Sequence, residues 1–420
     1  MESGFNSTAD GRKPRLLVTT STLPRFEDDP EPRFVVDLAR ALADRFEITV
    51  LAPSFPGAAP RARLFGVDVI RYRYAPVKRW ERLAYPGGIM SRLRADPLNW
   101  LLVPGMIIGQ AIALRRVLAK GDYDLIHAHW IIPQGLVAAT LPRRLRIPFV
   151  TTSHGGDVFT LGRGPLRPLL RYVLRRAAAV TAVSREIFRA CEQLAPTVRD
   201  APGLHLIPMG VDVGHFARTA KAAPRPRDLV DDSPVILFVG RLAEKKGVDI
   251  LIDALAGIGD SLPAAQLVVI GDGALRQHLY AHACDRNVAH RVHFLGARNH
   301  ASLPAYMAAA DVIVLPSVEA PDGDKDGLPV TLIEGAACSL PSVASEIGGI
   351  PEFVVDGYNG LLVRPGDSGS LAAALTSLLA DPDTRKSFAE AAFTAANTLD
   401  WRLIADRYAQ IYHEALEAAK

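Results

Sequence analysis

Cysteine is scarce in this chain. Cys191, Cys284 and Cys338 are all it has among 420 residues. They are far apart and odd in number, so they suit neither a disulfide framework nor a zinc cluster, and a reducing compartment is expected. Long apolar runs are lacking too. The longest, residues 100–114, contains Pro104 and Gln110 and falls short of the roughly 20 apolar residues that cross a bilayer. No membrane-spanning segment is therefore expected. Nor does an apolar run follow the basic residues of the opening MESGFNSTADGRKPRLLV, so no secretory signal is read there. The low hydrophobicity and high charge of a disordered chain are also missing. Apolar residues make up 49% and charged residues 22%, an ordinary balance for a globular protein.

At roughly 150 residues per domain, the chain has room for two or three domains. Its net charge of +3 conceals an asymmetry. Residues 1–212 carry 30 Lys and Arg against 19 Asp and Glu, whereas residues 213–420 carry 18 against 26. A basic first half suits an anionic partner. Nucleic acid and a phospholipid surface are the candidates, and uneven solvated charge is the plain alternative. No known nucleic-acid motif accompanies the charge, so no nucleic-acid partner is expected. Residues 61–94 hold nine Lys and Arg and two acids, interleaved with Tyr72, Tyr74, Trp80 and Tyr85. The apolar stretch that follows is flanked by Arg92, Arg94, Arg115 and Arg116. Such a combination suits an anionic bilayer surface, and equally a core helix beside a solvated charged neighbour.

Short β-rich runs alternate with helical patterns. Strands are read at 15–20, 47–52, 67–73, 124–129, 149–153, 180–184 and 205–208, and again at 235–240, 266–270, 291–296, 312–316, 342–345 and 360–363. Most are continuous apolar runs, as buried parallel strands are. Between them lie amphipathic segments, such as 33–44 with Phe34, Val35, Leu38 and Leu42 on one face. Repeated strand–helix units predict an α/β protein with doubly wound sheets. Residues 221–233, KAAPRPRDLVDDS, are rich in Pro and charge and lack periodicity; they are read as a linker. Two doubly wound domains facing across a cleft would bind ligands at the carboxyl ends of their strands.

Chemistry-bearing residues gather at those strand ends. In 235–247, VILFVGRLAEKKG, a strand exit is followed by Arg241, Lys245 and Lys246. Such cations could clasp a pyrophosphate, although alone they read as a solvated basic loop. In 312–345 a strand end at Pro316 leads through a polar loop to Gly327, Leu328 and Pro329, then to a helix starting near Val330. Exposed amides at that helix start suit phosphate. Glu334, about two turns in, could accept hydrogen bonds from a ribose diol, and Asp326 from sugar hydroxyls.

This second half resembles the family-four retaining glycosyltransferases of the two-Rossmann, GT-B type. The resemblance rests on an ordered set: Gly240-Arg241…Lys246-Gly247, Gly271-Asp272-Gly273, Phe294-Leu295-Gly296, Pro316-Ser317, Asp326-Gly327-Leu328-Pro329…Glu334, Gly348-Gly349-Ile350-Pro351-Glu352 and Gly357-Tyr358-Asn359-Gly360. Two departures stand out. The family's first acid is usually Glu where this chain has Asp326, which leaves Glu319 as a rival, and the family tends to have Gly where Ser339 stands. The first loop lacks the Gly-Gly pair of many members and reads STLP.

The resemblance implies a domain 1–215 that binds the acceptor, joined by a returning helix 401–420, and a domain 232–400 that binds a nucleotide-diphosphate sugar. Donor contacts fall to Arg241, Lys246, Gly273, Asp326, Gly327, Leu328, Pro329 and Glu334. In FVTTSHGGD, residues 149–157, the His at the strand exit, His154, would lie beside the transferred sugar. His129, Gly155 and Asp157 are candidates for the acceptor side, and His127 and His129 read either as structural or as acceptor-lining. An H-x-H pair without a third ligand is weak as a metal site, and Asp322-Gly323-Asp324 reads as a solvated acidic loop.

The implied activity is retaining transfer of a hexosyl or related sugar to a hydroxyl of a lipid-linked, polysaccharide or glycolipid intermediate. No cofactor and no metal are expected, the nucleotide sugar being a co-substrate. The expected location is cytoplasmic, with peripheral attachment to the inner face of the cell membrane as its extension. A non-hydrolysing sugar-nucleotide epimerase and a non-catalytic sugar-nucleotide or lipid-binding protein are the alternatives.

Overall fold

A computed structural model describes residues 12–85, 87–162, 164–199, 203–229, 233–321 and 323–420. The chain divides into two compact units, residues 1–208 with 401–420, and residues 209–400.

The first unit is built on eight strands: β1 (Arg15–Thr19), β2 (Glu47–Pro53), β3 (Arg61–Leu64), β4 (Val67–Tyr72), β5 (Leu125–His129), β6 (Phe149–Ser153), β7 (Ala179–Ala182) and β8 (Leu204–Leu206), in the order β3-β4-β2-β1-β5-β6-β7-β8. All pairs are parallel except β3–β4, an antiparallel hairpin turned at Phe65 and Gly66, both with positive φ. The apolar runs β1, β5 and β6 are buried along nearly their whole length, as central strands covered on both faces must be. The helix Trp401–Glu417 completes this unit. Tyr408 and Tyr412 on it are fully buried. The Tyr412 ring meets Phe46 edge-on, and its hydroxyl lies 2.7 Å from His127 Nδ1.

The second unit has six parallel strands: β9 (Val235–Val239), β10 (Gln266–Ile270), β11 (Val292–Gly296), β12 (Val312–Leu315), β13 (Ser342–Ser345) and β14 (Gly360–Val363), ordered β11-β10-β9-β12-β13-β14. One apolar cluster packs helices Val248–Ile258 and Ser368–Ala380 on the sheet. Another joins Phe216, Ile333, Ala336 and Ile350. All strands therefore release their chains at one edge, and the reversal of strand order falls between β9 and β12, where sheets of this kind bind ligands.

Four sequence expectations need correction. The domain boundary lies earlier than residue 215, because Val211, Val213 and Phe216 are buried in the second unit's core and Val211 N–H donates to Leu399 O at 3.0 Å. Residues 221–233 are not a bare linker. Leu229 is buried, and Asp228 accepts from Tyr306 Oη at 2.9 Å and Arg298 Nη2 at 2.7 Å. The basic, aromatic run 61–94 is divided between core and surface, with most of its Lys and Arg exposed and its tyrosines buried. Tyr72, Tyr74 and Tyr85 are core residues, Arg71 is buried with its guanidinium on Pro24 O, Pro53 O and Tyr85 Oη, and Arg73 pairs with Glu81. Lastly, residues 97–120 form a 24-residue helical segment with mean hydropathy 1.5, long and apolar enough to cross a membrane. It belongs to the first unit, into which Met106, Gln110 and Leu114 are buried.

Candidate active site

In the second unit, the loops leaving β9, β10, β12 and β13 pack on one another with almost no room between backbones. A Cβ on Gly271 would stand 1.8 Å from Gly240 O, and one on Gly273 2.3 Å from Leu242 O. Gly348 has φ +62°, and a Cβ there would meet Asp326 O at 2.0 Å. Gly349 N–H donates to Gly327 O at 3.0 Å. The glycine motifs thus fit these loops together, and the spacing fixes where Asp326 sits.

Asp326 is a nearly buried carboxylate with its oxygens occupied. Oδ2 accepts from Lys246 Nζ at 2.7 Å and from Ser317 Oγ at 2.8 Å, and Oδ1 lies 3.5 Å from Lys245 Nζ. Lys245 also reaches Asp324 at 3.1 Å. Burial pushes the Asp326 carboxyl upward, but Lys246, Lys245 and the two hydrogen bonds outweigh it and hold the group at about 2. Burial likewise lowers Lys246, while Asp326 raises it and Lys245 and Arg241 lower it further. Arg241 is exposed in the turn after β9, close enough for its charge to act on Lys246. Glu319, the rival acid, is half exposed and lies 3.6 Å from Lys325. Asp322 lies outside the described residues, and Asp324 is engaged by Lys245. Among the described residues no group of three His, Cys, Asp or Glu side chains is placed to hold a metal ion.

Leu328 and Pro329 lead into the helix Val330–Ala337, which carries Glu334 almost completely buried in its second turn. Glu334 Oε1 lies 2.8 Å from His300 Nε2. The His300 ring meets Phe216 edge-on with centroids 5.2 Å apart. Sequence reasoning missed His300, whose sole signal is its place in the polar loop after Phe294-Leu295-Gly296.

In the first unit, adjacent strands β5 and β6 bring three imidazoles together. His129 Nδ1 and His154 Nε2 are 3.0 Å apart, their rings stacked at 5.3 Å. The His127 ring lies 4.1 Å from that of His129. His127 bonds Thr152 Oγ1 and Tyr412 Oη, both at 2.7 Å, so both of its ring nitrogens are engaged. Burial lowers all three imidazoles, His127 and His154 to about 3, so each is neutral at neutral pH. His154 keeps partial exposure beside Phe34 and Trp130, with centroids 5.0 and 4.7 Å away. Of the residues expected on the acceptor side, His129 is fully buried, with its Nδ1 on His154 Nε2. Asp157 is buried as well. It accepts from Ile131 N–H at 2.8 Å, Ser153 Oγ at 2.7 Å and Gly155 N–H at 3.3 Å. That role ties the loop after β6 to the loop after β5. Gly155, with φ +107°, opens the short helix Gly156–Phe159.

The whole chain has relatives of this construction. Residues 32–215 match the model of "Glycosyltransferase Family 4" and residues 221–395 that of "Glycosyl transferases group 1". A GDP-mannose-dependent alpha-(1-6)-phosphatidylinositol monomannoside mannosyltransferase of Mycolicibacterium smegmatis is 31% identical over 412 residues, covering 96% of this chain and 99% of that one. The chain belongs to the family-four glycosyltransferases. It is accordingly a sugar-transferring enzyme with two Rossmann-like domains that works with a nucleotide sugar. Among solved structures, sucrose-phosphate synthase from Thermosynechococcus elongatus shares the fold with a TM-score of 0.76 and 24% identity, covering 97% of this chain and 100% of that one. Anabaena HepE in complex with UDP-glucose does so with a TM-score of 0.69 and 22% identity, covering 94% and 98%. Both likenesses concern the fold alone.

Proposed function

We propose that this glycosyltransferase moves a hexosyl group from a nucleoside-diphosphate sugar to a hydroxyl of a lipid-linked or glycolipid intermediate, with retention and without a metal ion. The observation that carries the reading is the pair of ammonium groups, Lys245 and Lys246, held by Asp324 and by Asp326, to which Ser317 also donates, at the carboxyl edge of β9 and β12. Cations already held in place pay no reorganisation cost when charge develops on a leaving group.

In this mechanism the bond from the anomeric carbon to the diphosphate oxygen breaks. The acceptor oxygen bonds the same carbon from the same face, and its proton passes to the departing diphosphate oxygen. Lys246 and Arg241 stabilise the charge on that diphosphate. Gly273, Gly327, Leu328 and Pro329 bring backbone up to the donor, Glu334 holds the ribose, and Asp326 faces the sugar while orienting Lys246. His154 presents a neutral imidazole to the transferred sugar. The relative that is named a phosphatidylinositol monomannoside mannosyltransferase supports a lipid-borne acceptor.

The test is a thermal-shift screen of nucleotide sugars, followed by turnover of the stabilising donor with glycolipid acceptors in EDTA. A donor at 100 times its Kd stabilises by about 2.7 kcal/mol. The expected product keeps the donor's anomeric configuration, read from its one-bond C–H coupling, and forms at an undiminished rate in EDTA. Loss of turnover on chelation, an inverted product, or conversion of the donor without any acceptor would each overturn the reading.

A further inference from the structure

The exposed apolar side chains are unevenly distributed. Among the described residues, ten of the fifteen large exposed ones fall between Val77 and Tyr172, in the first unit. The helical segment Pro97–Lys120 supplies half of these. Leu98 is 71% exposed, Leu101 77%, Ile108 58% and Ile112 42%. Leu101, Pro104, Ile108 and Ile112 recur at helical spacing and form one outward stripe, while Met106, Gln110 and Leu114 form the buried one. The orientation is fixed by two close approaches. A Cβ on Gly105 would stand 2.4 Å from Tyr74 O, and one on Gly109 2.3 Å from Arg73 O. No rotation of the helix could turn the stripe inward.

The neighbourhood is basic. Residues 97–185 contain twelve Lys and Arg and three acids. Of those acids, Asp157 is buried and Asp124 is paired with Arg12. Arg115, Arg116 and Lys120 end the apolar stripe, and Arg143 and Arg144 stand exposed on the turn packed beside it. On the same side of the sheet, helix Leu136–Ala139 bridges to helix Arg167–Arg176, where Leu169 and Tyr172 are exposed among Arg171, Arg175 and Arg176.

We propose that this face, carried by helices Pro97–Lys120 and Arg167–Arg176, seats the protein on an anionic lipid bilayer. An outward apolar stripe bordered by guanidinium groups and almost free of carboxylates has the chemistry of an interfacial helix, whose apolar side enters the acyl boundary while its cations meet lipid phosphates. A second copy of this chain would be a poor occupant, since it would oppose like charge to like. Most of the contact in this attachment is apolar, carried by the outward stripe of Leu101, Pro104, Ile108 and Ile112. It stands on this face alone and does not depend on the assignment of the donor site.

The test uses the full chain and sucrose-loaded vesicles of phosphatidylcholine with and without phosphatidylglycerol. The wild type should cosediment with the anionic vesicles and be partly retained at about 0.5 M salt, where charge attraction is screened. Ile108→Ser with Ile112→Ser, and separately Arg115→Glu with Arg116→Glu, should each weaken partitioning by about tenfold or more. Both changes are at exposed positions, so melting temperature and nucleoside-diphosphate binding should stay at wild-type values. Trp100 emission should shift to the blue on vesicles and be quenched by brominated lipid, a signal lost in Trp100→Phe. The proposal is overturned if the wild type ignores anionic vesicles, if the variants bind as well as it does, or if the serine variant changes only oligomeric state in sedimentation velocity. Resistance to extraction by alkaline carbonate would also overturn it, since that marks a spanning helix.

Discussion

Replacing Lys246 with Ala should damage two properties by separable routes. The ammonium group lies 2.7 Å from Asp326 Oδ2, with side chains only 13% and 9% exposed. Asp326 is held at about 2 against an ordinary 3.8, which corresponds to roughly 2 kcal/mol of native-state stabilisation. The sign follows from the depressed value. The contribution is complete above the unfolded-state value near 4 and disappears only as pH falls towards 2, so a measurement at pH 7 reads all of it. Without Lys246 the carboxylate keeps Ser317 and the more distant Lys245, yet burial still opposes its charge. A loss of about 2 kcal/mol is expected, or roughly 4–8 °C in melting temperature for a domain of this size. Transition-state stabilisation should fall by a further 3–4 kcal/mol, about 10²–10³ in kcat/KM, as when an oxyanion donor is removed.

Asp326→Asn separates the two effects. Paired with Lys246→Ala, it removes the stranded charge, so the double variant should regain most of the lost stability while remaining inactive. Chemical unfolding at pH 7 of the four proteins gives the coupling energy, expected at about 2 kcal/mol. A coupling near zero would mean that the ion pair does not organise this loop. Activity close to wild type in Lys246→Ala would remove the lysine from the diphosphate site altogether.

Asp326→Glu, which restores the family's usual acid, should change kcat/KM several-fold and shift preference among donors. Unchanged kinetics with every nucleotide sugar, together with a defect in Glu319→Gln, would move the sugar contact to Glu319. His154→Ala should lower kcat by about 10²-fold while leaving the thermal shift by nucleoside diphosphate intact; a stability loss without a rate loss would make the imidazole purely structural. Ser339 sits at φ +57°, a left-handed conformation that costs a residue with a side chain about 1 kcal/mol. Ser339→Gly should therefore raise the melting temperature by a few degrees, and a decrease would show that the hydroxyl supports the turn.

The strands were legible because each buried parallel strand is a continuous apolar run with its own turn residues. β3 was not, since Arg61–Leu64 is a half-exposed edge strand without apolar continuity, and its turn uses Phe65 at positive φ. The expected linker failed for a related reason. Proline and charge describe composition, whereas Leu229 and Asp228 are tied down by partners far along the chain. Contacts within the candidate site were hidden in the same way. Lys246 and Asp326 are 80 residues apart, His300 and Glu334 are 34 apart, and His127 and Tyr412 are 285 apart. Each motif marked a place on a strand exit, but nothing local told which exits are neighbours.

The ordered motifs nevertheless carried the family, and the loops show why they could. Their glycines and their charges answer to different demands. Gly271 and Gly348 are excluded from bearing a side chain by carbonyls at 1.8 and 2.0 Å from the Cβ position, a constraint of packing that applies whatever the donor is. Lys246, Asp326 and Glu334 are fixed by charge and hydrogen bonding at the positions those glycines create. The first group therefore reports the fold and the second the chemistry. Asp326, the one acid that departs from the family pattern this chain resembles, lies in the second group, on a loop that the first holds in place. A shorter acid on an unaltered scaffold changes reach without changing position, so Asp326→Glu varies the reach alone, and a change in donor preference in that variant would tie the preference to this side chain.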